Sequence, residues 1–330
     1  MRPIRTILVA IKDPMARSLP AVEKAAQLAH AFDARLVLFH AMATPVYIDA
    51  VMPGLSPEEV RRHQREHFSA RLDVVAERLR KDSLHVTTAT AWDFPPHEAI
   101  VRRAAAIHAD LIVAECHEGK RLTPWLMHLT DWELLRTSPR PVLVLKNDRD
   151  WRDPVVLGAV DPSHAHAKPE QLDAGIVAAG EAMSRAFGGS FELLHANFPA
   201  TFALMTGDAA MDAAALTQAY DQQRANSKAE FDAFASKMRV PRASRHLLDT
   251  DPGFAIPHMA RKLGADLVVM GAVSRSGLKR VFIGNTAERV LEALPCDVLV
   301  IKPTRFPRRV SRASRGMRVV PPQPLMPLPV

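Results

Sequence analysis

Short apolar runs alternate along the chain with amphipathic stretches, and the alternation is written twice. Runs of β type lie at 6–12, 35–41, 84–91, 110–114 and 141–146, with helix-period stretches at 19–31, 57–82, 95–107 and 124–137 between them. A second series follows, with β-type runs at 154–160, 190–196, 244–249, 266–270 and 297–302 and helical stretches at 168–187, 209–238, 253–263 and 284–293. The segment "ADLIVAECHEGKRLTPWLMHLTDWELLRTSPRPVLVLK" (109–146) aligns without a gap to "ADLVVMGAVSRSGLKRVFIGNTAERVLEALPCDVLVIK" (265–302). Further back, "ILVAIKDP" (7–14) matches "VVLGAVDP" (155–162), and "LVLFHA" (36–41) matches "FELLHA" (191–196). The chain is therefore an internal duplication.

Strands that alternate with helices pair in parallel through right-handed crossovers. The first, fourth and fifth runs of each copy are nearly all apolar, as central strands covered on both faces must be. The expected fold class is α/β, with two tandem doubly wound, five-stranded parallel-sheet domains. The predicted boundaries are 1–150 and 151–303, joined near "NDRDWRDP" (147–154), with a tail at 304–330.

Composition narrows the picture. With 48% hydrophobic and 24% charged residues the chain is globular. Its two cysteines, Cys116 and Cys296, make no disulfide framework and suit a reducing compartment. No apolar run approaches the ~18 residues of a membrane span. "MRPIRTILVAIKD" does not read as a secretory signal, so a soluble, cytoplasmic protein is expected. The net charge of +7 resides mostly in the tail, where six arginines, seven prolines and no acid lie between Pro303 and Val330. That composition predicts disorder, and it confines any affinity for nucleic acid to the tail.

The candidate chemistry lies in "GAVSRSGLKRVFIGNTAE" (271–288), which follows the fourth run of the second copy. Gly271 lets the backbone turn close to a ligand. Gly284, Asn285 and Thr286 open a helix, whose unpaired N–H groups and dipole favour an anion. Arg275, Lys279 and Arg280 add positive charge. A plain strand-to-helix turn, with Asn285 and Thr286 only capping, is the alternative. In the first copy the equivalent positions are Glu115, Glu118, His128 and Leu129. Acids repel phosphate, so no nucleotide is expected there.

Two such units in tandem, with a Gly-x2-Gly-x9-Gly-[Ser/Thr]-like loop after the fourth strand, resemble universal stress proteins. "TDWELLRTSPRPVLVLK" (130–146), "WDFPPHEAI" (92–100) and "GNTAERVLEALPCDVLVIKP" (284–303) are similar to the E-type tandem members. The resemblance covers about residues 5–303 and implies strand order 3-2-1-4-5 in each half, an architecture akin to the adenine nucleotide alpha-hydrolases. It also implies that the fifth strands of the two halves meet, an internal pseudo-dimer, with a homodimer as a further partner state. A stress-response role without catalysis follows, with slow ATP hydrolysis as the enzymatic alternative. The implied ligand is ATP or another adenine nucleotide, with magnesium only as the nucleotide's companion. Asp161 would face the base, while Gly271, Ser274, Arg275, Gly284, Asn285 and Thr286 would meet ribose and phosphates. Ser274 stands where the family pattern has its second glycine, and Asn285 where it has Ser or Thr.

Other clusters carry less. "ECHE" (115–118) has no second Cys/His pair at a metal spacing. His40 and His195 end the second strands and read as hydrogen-bonded structural groups. Neither a Gly-x4-Gly-Lys-[Ser/Thr] loop nor a Gly-x-Ser-x-Gly elbow occurs. The long segments after the second strands, 42–59 and 197–223, carry surplus apolar residues. They either pack on their own domains or hold a hydrophobic, lipid-like ligand or a protein partner. The second option defines the competing function, a nucleotide-independent binder or scaffold.

Overall fold

The structure, a computed structural model, describes residues 3–42, 46–47, 57–115, 130–162, 171–197, 213–271, 285–304, 306–307, 309–316 and 319–320. The chain divides into two compact units. The N-terminal unit comprises Ile4–Pro139 with Arg308–Val330, and the C-terminal unit Arg140–Pro307 with Met1–Pro3. This division differs from the boundary expected near residue 150.

In the N-terminal unit the strands are β1 (Thr6–Ala10), β2 (Arg35–Met42), β3 (Val46–Tyr47), β4 (Val86–Trp92) and β5 (Leu111–Glu115). Four of them pair in parallel in the order β4-β2-β1-β5, which is 3-2-1-4 in the repeat's own count. The helices are α1 (Pro20–Phe32), α2 (Pro57–Lys81), α3 (Pro96–Ala106) and α4 (Thr130–Thr137). Strand β1 is buried at all five positions, as a strand with helices on both faces should be. Helix α1 buries Ala21, Val22, Ala25, Leu28 and Ala29, one stripe at three- and four-residue spacing. It ends where Asp33 turns into the left-handed region at φ 51°.

The C-terminal unit holds β6 (Val142–Leu145), β7 (Val155–Val160), β8 (Ser190–Ala196), β9 (Arg245–Leu248), β10 (Leu267–Gly271) and β11 (Asp297–Ile301). Its helices are α5 (Gln171–Ala186), α6 (Ala213–Lys237), α7 (Pro252–Leu263) and α8 (Asn285–Ala293). The parallel order β9-β8-β7-β10-β11 is the expected 3-2-1-4-5. Strand β6, the fifth run of the first copy, pairs antiparallel with β11, setting Val142 against Val300, Leu143 against Leu299 and Val144 against Val298. The edge of β11 is thereby covered. Lys146 fixes the join: its N–H donates to Asp297 Oδ1 at 2.9 Å, and its ammonium reaches the Leu294 carbonyl at 3.1 Å, just past the C-terminus of α8.

The duplication shows in one further detail. Asp110, just before β5, accepts hydrogen bonds from the N–H groups of Arg5 and Thr6 at 3.0 and 3.1 Å. Its counterpart Asp266 accepts the N–H of Val155 at 3.0 Å. In both copies this aspartate clips the start of the first strand to the start of the fourth.

The tail departs from expectation. Its described residues from Arg309 onward are placed on the N-terminal unit, where Val310 is only 4% exposed and Val319–Val320 (β12) pairs in parallel with β3. Composition over the whole tail predicts disorder. What opposes it is a local set of contacts: Asp93 Oδ1 accepts the Arg315 N–H, and Glu98 pairs with the Arg315 guanidinium.

Candidate functional site

In a doubly wound sheet the ligand crevice lies at the carboxyl ends of the strands, where the order reverses. In the N-terminal unit that point lies between β1 and β5. Helix α1 begins there with Leu19 at its N-cap, a residue that cannot cap, followed by Pro20. The missing acceptor comes from the end of β5: Glu115 Oε1 accepts the Ala21 N–H at 3.0 Å. The anion that a helix N-terminus favours is thus supplied by the chain itself. Asp13 is folded into a local turn, its carboxylate accepting the Met15 N–H at 2.9 Å.

In the C-terminal unit the corresponding point lies between β7 and β10, and β10 ends in Gly271 rather than an acid. A Cβ at Gly271 would stand 2.6 Å from Leu172 Cδ2 and 3.3 Å from Ile176 Cδ1, both on α5. The glycine is therefore required by helix packing, whatever a ligand requires. Asp161 follows β7, and its N–H donates to Asp173 Oδ1 at 3.3 Å, in the buried first turn of α5. A polar rim continues over the ends of β8 and β9. Asn197 donates to Asp249 at 2.9 Å, Asp249 pairs with Arg224 at 2.7 Å, and Asp251 pairs with Arg289 at 3.3 Å. Helix α8 starts at Asn285 and Thr286, so its first N–H groups lack intrahelical acceptors.

The two histidines are ties in equivalent places. His40 Nδ1 donates to the Ile11 carbonyl at 2.9 Å, and His195 Nδ1 to the Val160 carbonyl at 3.1 Å. A carbonyl can only accept, so Nδ1 carries the proton in both, and His195 Nε2 accepts from Ser227 at 2.9 Å. Burial pushes His40 below 6.5, against the Ile11 carbonyl and Asp13, which pull the other way.

The sequence profile of the Universal stress protein family matches residues 3–146 and again 159–302. The chain belongs to the universal stress protein family. It is a tandem member of the E type. It is 27% identical to Universal stress protein E of Salmonella typhi over 313 residues, covering 91% of this chain and 95% of that protein. A homolog from Haemophilus influenzae is 28% identical over 255 residues, covering 76% of this chain and 81% of that protein. Among solved structures, a protein of unknown function from Pseudomonas aeruginosa PAO1 superposes with a TM-score of 0.71 at 27% identity, covering 91% of this chain and 93% of that one. A universal stress protein from Archaeoglobus fulgidus shares the fold, with a TM-score of 0.62 at 14% identity over 89% of this chain and 96% of that one.

Of the residues singled out in the sequence, the structure brings Asp161 and Gly271 to the ends of neighbouring strands β7 and β10. Asn285 and Thr286 are placed as the first residues of α8. Ser274, Arg275 and Gly284 lie outside the described residues, as do Glu118 and His128 and most of the apolar segments after the second strands. Among the described residues no group of three or more His, Cys, Asp or Glu could hold a metal ion, and no helix is long and apolar enough to cross a membrane. Sequence reasoning placed Glu115 at a lost site but missed its use as the cap of α1. The signal was there: "SLPAVE" offers no side-chain acceptor at Leu19, so one had to come from elsewhere. The cluster of Asp93, Glu98 and Arg102, on and just before α3, was also missed.

Proposed function

We propose that this stress-response protein binds one adenine nucleotide, ATP or a relative, in the crevice of its C-terminal unit. One contrast carries the reading. At the same strand end the first copy projects Glu115 into the helix N-terminus, whereas the second copy has no side chain at all. A phosphate entering the first crevice would meet a carboxylate. Entering the second, it would meet no acid from that strand end.

In this reading Asp161 faces the base, and Gly271, Ser274, Arg275, Gly284, Asn285 and Thr286 hold ribose and phosphates. The bound nucleotide would bring magnesium with it and supply anionic charge for the loop to grip. No catalytic role is assigned to any residue. Thermal unfolding with and without magnesium-ATP tests the reading: saturating ligand stabilises by mass action, about 2.7 kcal/mol at a concentration one hundred times the Kd. Ser274→Gly is expected to enlarge the shift. Absence of any shift in both proteins would reject the proposal.

A second reading, a binder of a hydrophobic ligand, is favoured by one observation. Met42 and Trp92 form a buried cluster with Val60 and Phe68 at the ends of β2 and β4. The Trp92 indole N–H is buried there and has no acceptor among the described residues. An amphiphile's polar atom would satisfy it. Mass spectrometry of an organic extract of the purified protein separates the two readings.

A further inference from the structure

The residues that the nucleotide reading leaves unused include Asp93, Glu98 and Arg102, and their oxygens are divided between two arginines. Arg102 takes Asp93 Oδ2 at 2.7 Å and Glu98 Oε2 at 3.0 Å. The tail takes the other oxygen of each: Asp93 Oδ1 accepts the Arg315 N–H at 3.0 Å, and Glu98 Oε1 pairs with the Arg315 guanidinium at 2.7 Å. Two backbone contacts flank the pair. The Phe94 N–H donates to the Gly316 carbonyl at 3.1 Å, and Arg102 reaches the Ser311 carbonyl at 3.4 Å. Val310 is buried, and β12 adds a two-residue pairing to β3 beyond the clasp.

The charges show what the clasp selects. Two carboxylates and Arg102 leave one net negative charge at a place where the Arg102 and Glu98 side chains are only 10% exposed. A buried uncompensated charge is costly, so the site favours a second guanidinium, whose planar fork suits a carboxylate. Arg315 fills that role while its own side chain stays 62% exposed. Residues 311–315 are exposed in an unbroken run, and the segment belongs to no helix. Such a segment opens locally at far lower cost than the sheet beneath it.

We propose that Asp93, Glu98 and Arg102 form an arginine-reading clasp. Its resident is the chain's own C-terminal strap, and the strap is exchangeable for a peptide carrying the same valine-to-arginine spacing. The partner that fits this surface is a segment with an apolar residue at the position of Val310 and an arginine at that of Arg315. It would bind through the clasp and by strand addition to β3.

Hydrogen exchange on the full-length chain tests this, read at the amides of Phe94 and Arg315. In the unaltered protein both amides should be protected. Arg315→Gln, at an exposed side chain, should speed exchange of both at least tenfold while leaving β1 and β5 unchanged. An excess of a free peptide with the sequence of residues 309–320 should restore protection of Phe94 in the Arg315→Gln chain. The same peptide with glutamine in place of the arginine corresponding to Arg315 should not. Adding Glu98→Gln to the Arg315→Gln chain should abolish the rescue. Unchanged exchange in Arg315→Gln would overturn the clasp. Rescue by neither peptide, or equally by both, would overturn its selectivity for arginine.

Discussion

Replacing Gly271 by alanine separates a packing requirement from a ligand requirement. A Cβ there would approach Leu172 Cδ2 to 2.6 Å and Cγ to 3.0 Å, where carbon atoms settle at about 3.5–4.0 Å. Leu172 is 2% exposed and belongs to α5, so it cannot swing into solvent without opening the helix–sheet interface. Gly271→Ala should therefore destabilise the C-terminal unit by about 1–3 kcal/mol, the usual cost of overpacking. Leu172→Ala alone should cost about 2–5 kcal/mol through the cavity it leaves. The double variant is the informative one. The methyl group introduced at position 271 would enter the space that Leu172 vacates, so the two costs should not add, and the coupling should be favourable by about 1–3 kcal/mol. Trp151 reports on this unit alone, because it is the one tryptophan between residues 140 and 307, and it is buried with its ring edge-on to Phe187. Fluorine NMR of 5-fluorotryptophan-labelled protein in a urea series follows its resonance separately from the other three. Strict additivity would refute the packing account and return the glycine to the ligand. If stability recovers in the double variant while ATP affinity falls, Gly271 serves both needs.

Three further predictions rest on other parts of the molecule. Glu115→Ala removes the acceptor for α1 and should cost about 1 kcal/mol in urea unfolding of the N-terminal unit, while nucleotide binding elsewhere is unaffected; a gain in stability would contradict its role as cap. The Cys296 thiol is buried beside Asp297 and pushed up to about 12, first by burial and then by that neighbouring charge. A Cys116→Ser chain should therefore show no reaction with a disulfide reagent at pH 8 until it is unfolded, and prompt labelling of the native protein would disprove this. His40 and His97 are both held below 6.5, chiefly by burial. Because the unfolded chain takes up protons there before the folded one, stability should be complete above 6.5 and decline as pH falls from 6.5 through the folded values. A urea midpoint that stays level from pH 7.5 to 5.5 in the unaltered protein, and does not differ from that of His40→Asn, would contradict it.

The strands were legible because an apolar run flanked by helix-period sequence has few other solutions, and their order followed from the resemblance to the family. The runs at 6–12, 110–114 and 266–270 became β1, β5 and β10 with ends shifted by a residue or two. That "PVLVLK" and "DVLVIK" meet was implied by the family resemblance, and β6 and β11 do pair, antiparallel. Two things were less legible. The end of β5 reads as a carboxylate left at a lost site, because the acceptor that α1 needs is far away in sequence. The tail reads as disordered because its prolines and arginines dominate any average. What orders Val310 and Arg315 is a surface more than two hundred residues earlier, created when α3 brings Glu98 and Arg102 beside Asp93. A charge count cannot see a site made by folding. The candidate nucleotide loop was read from its glycines and its helix start, and of those features the structure places Gly271, Asn285 and Thr286.

The central claim is an asymmetry between two copies of one fold, and the number of nucleotides held per chain tests it most directly. Native mass spectrometry of the full-length protein titrated with magnesium-ATP should show a single added nucleotide per chain, lost when Asp161 is changed to alanine and retained when Asp13 is. Two nucleotides per chain, or one that depends on Asp13 and not on Asp161, would contradict the account.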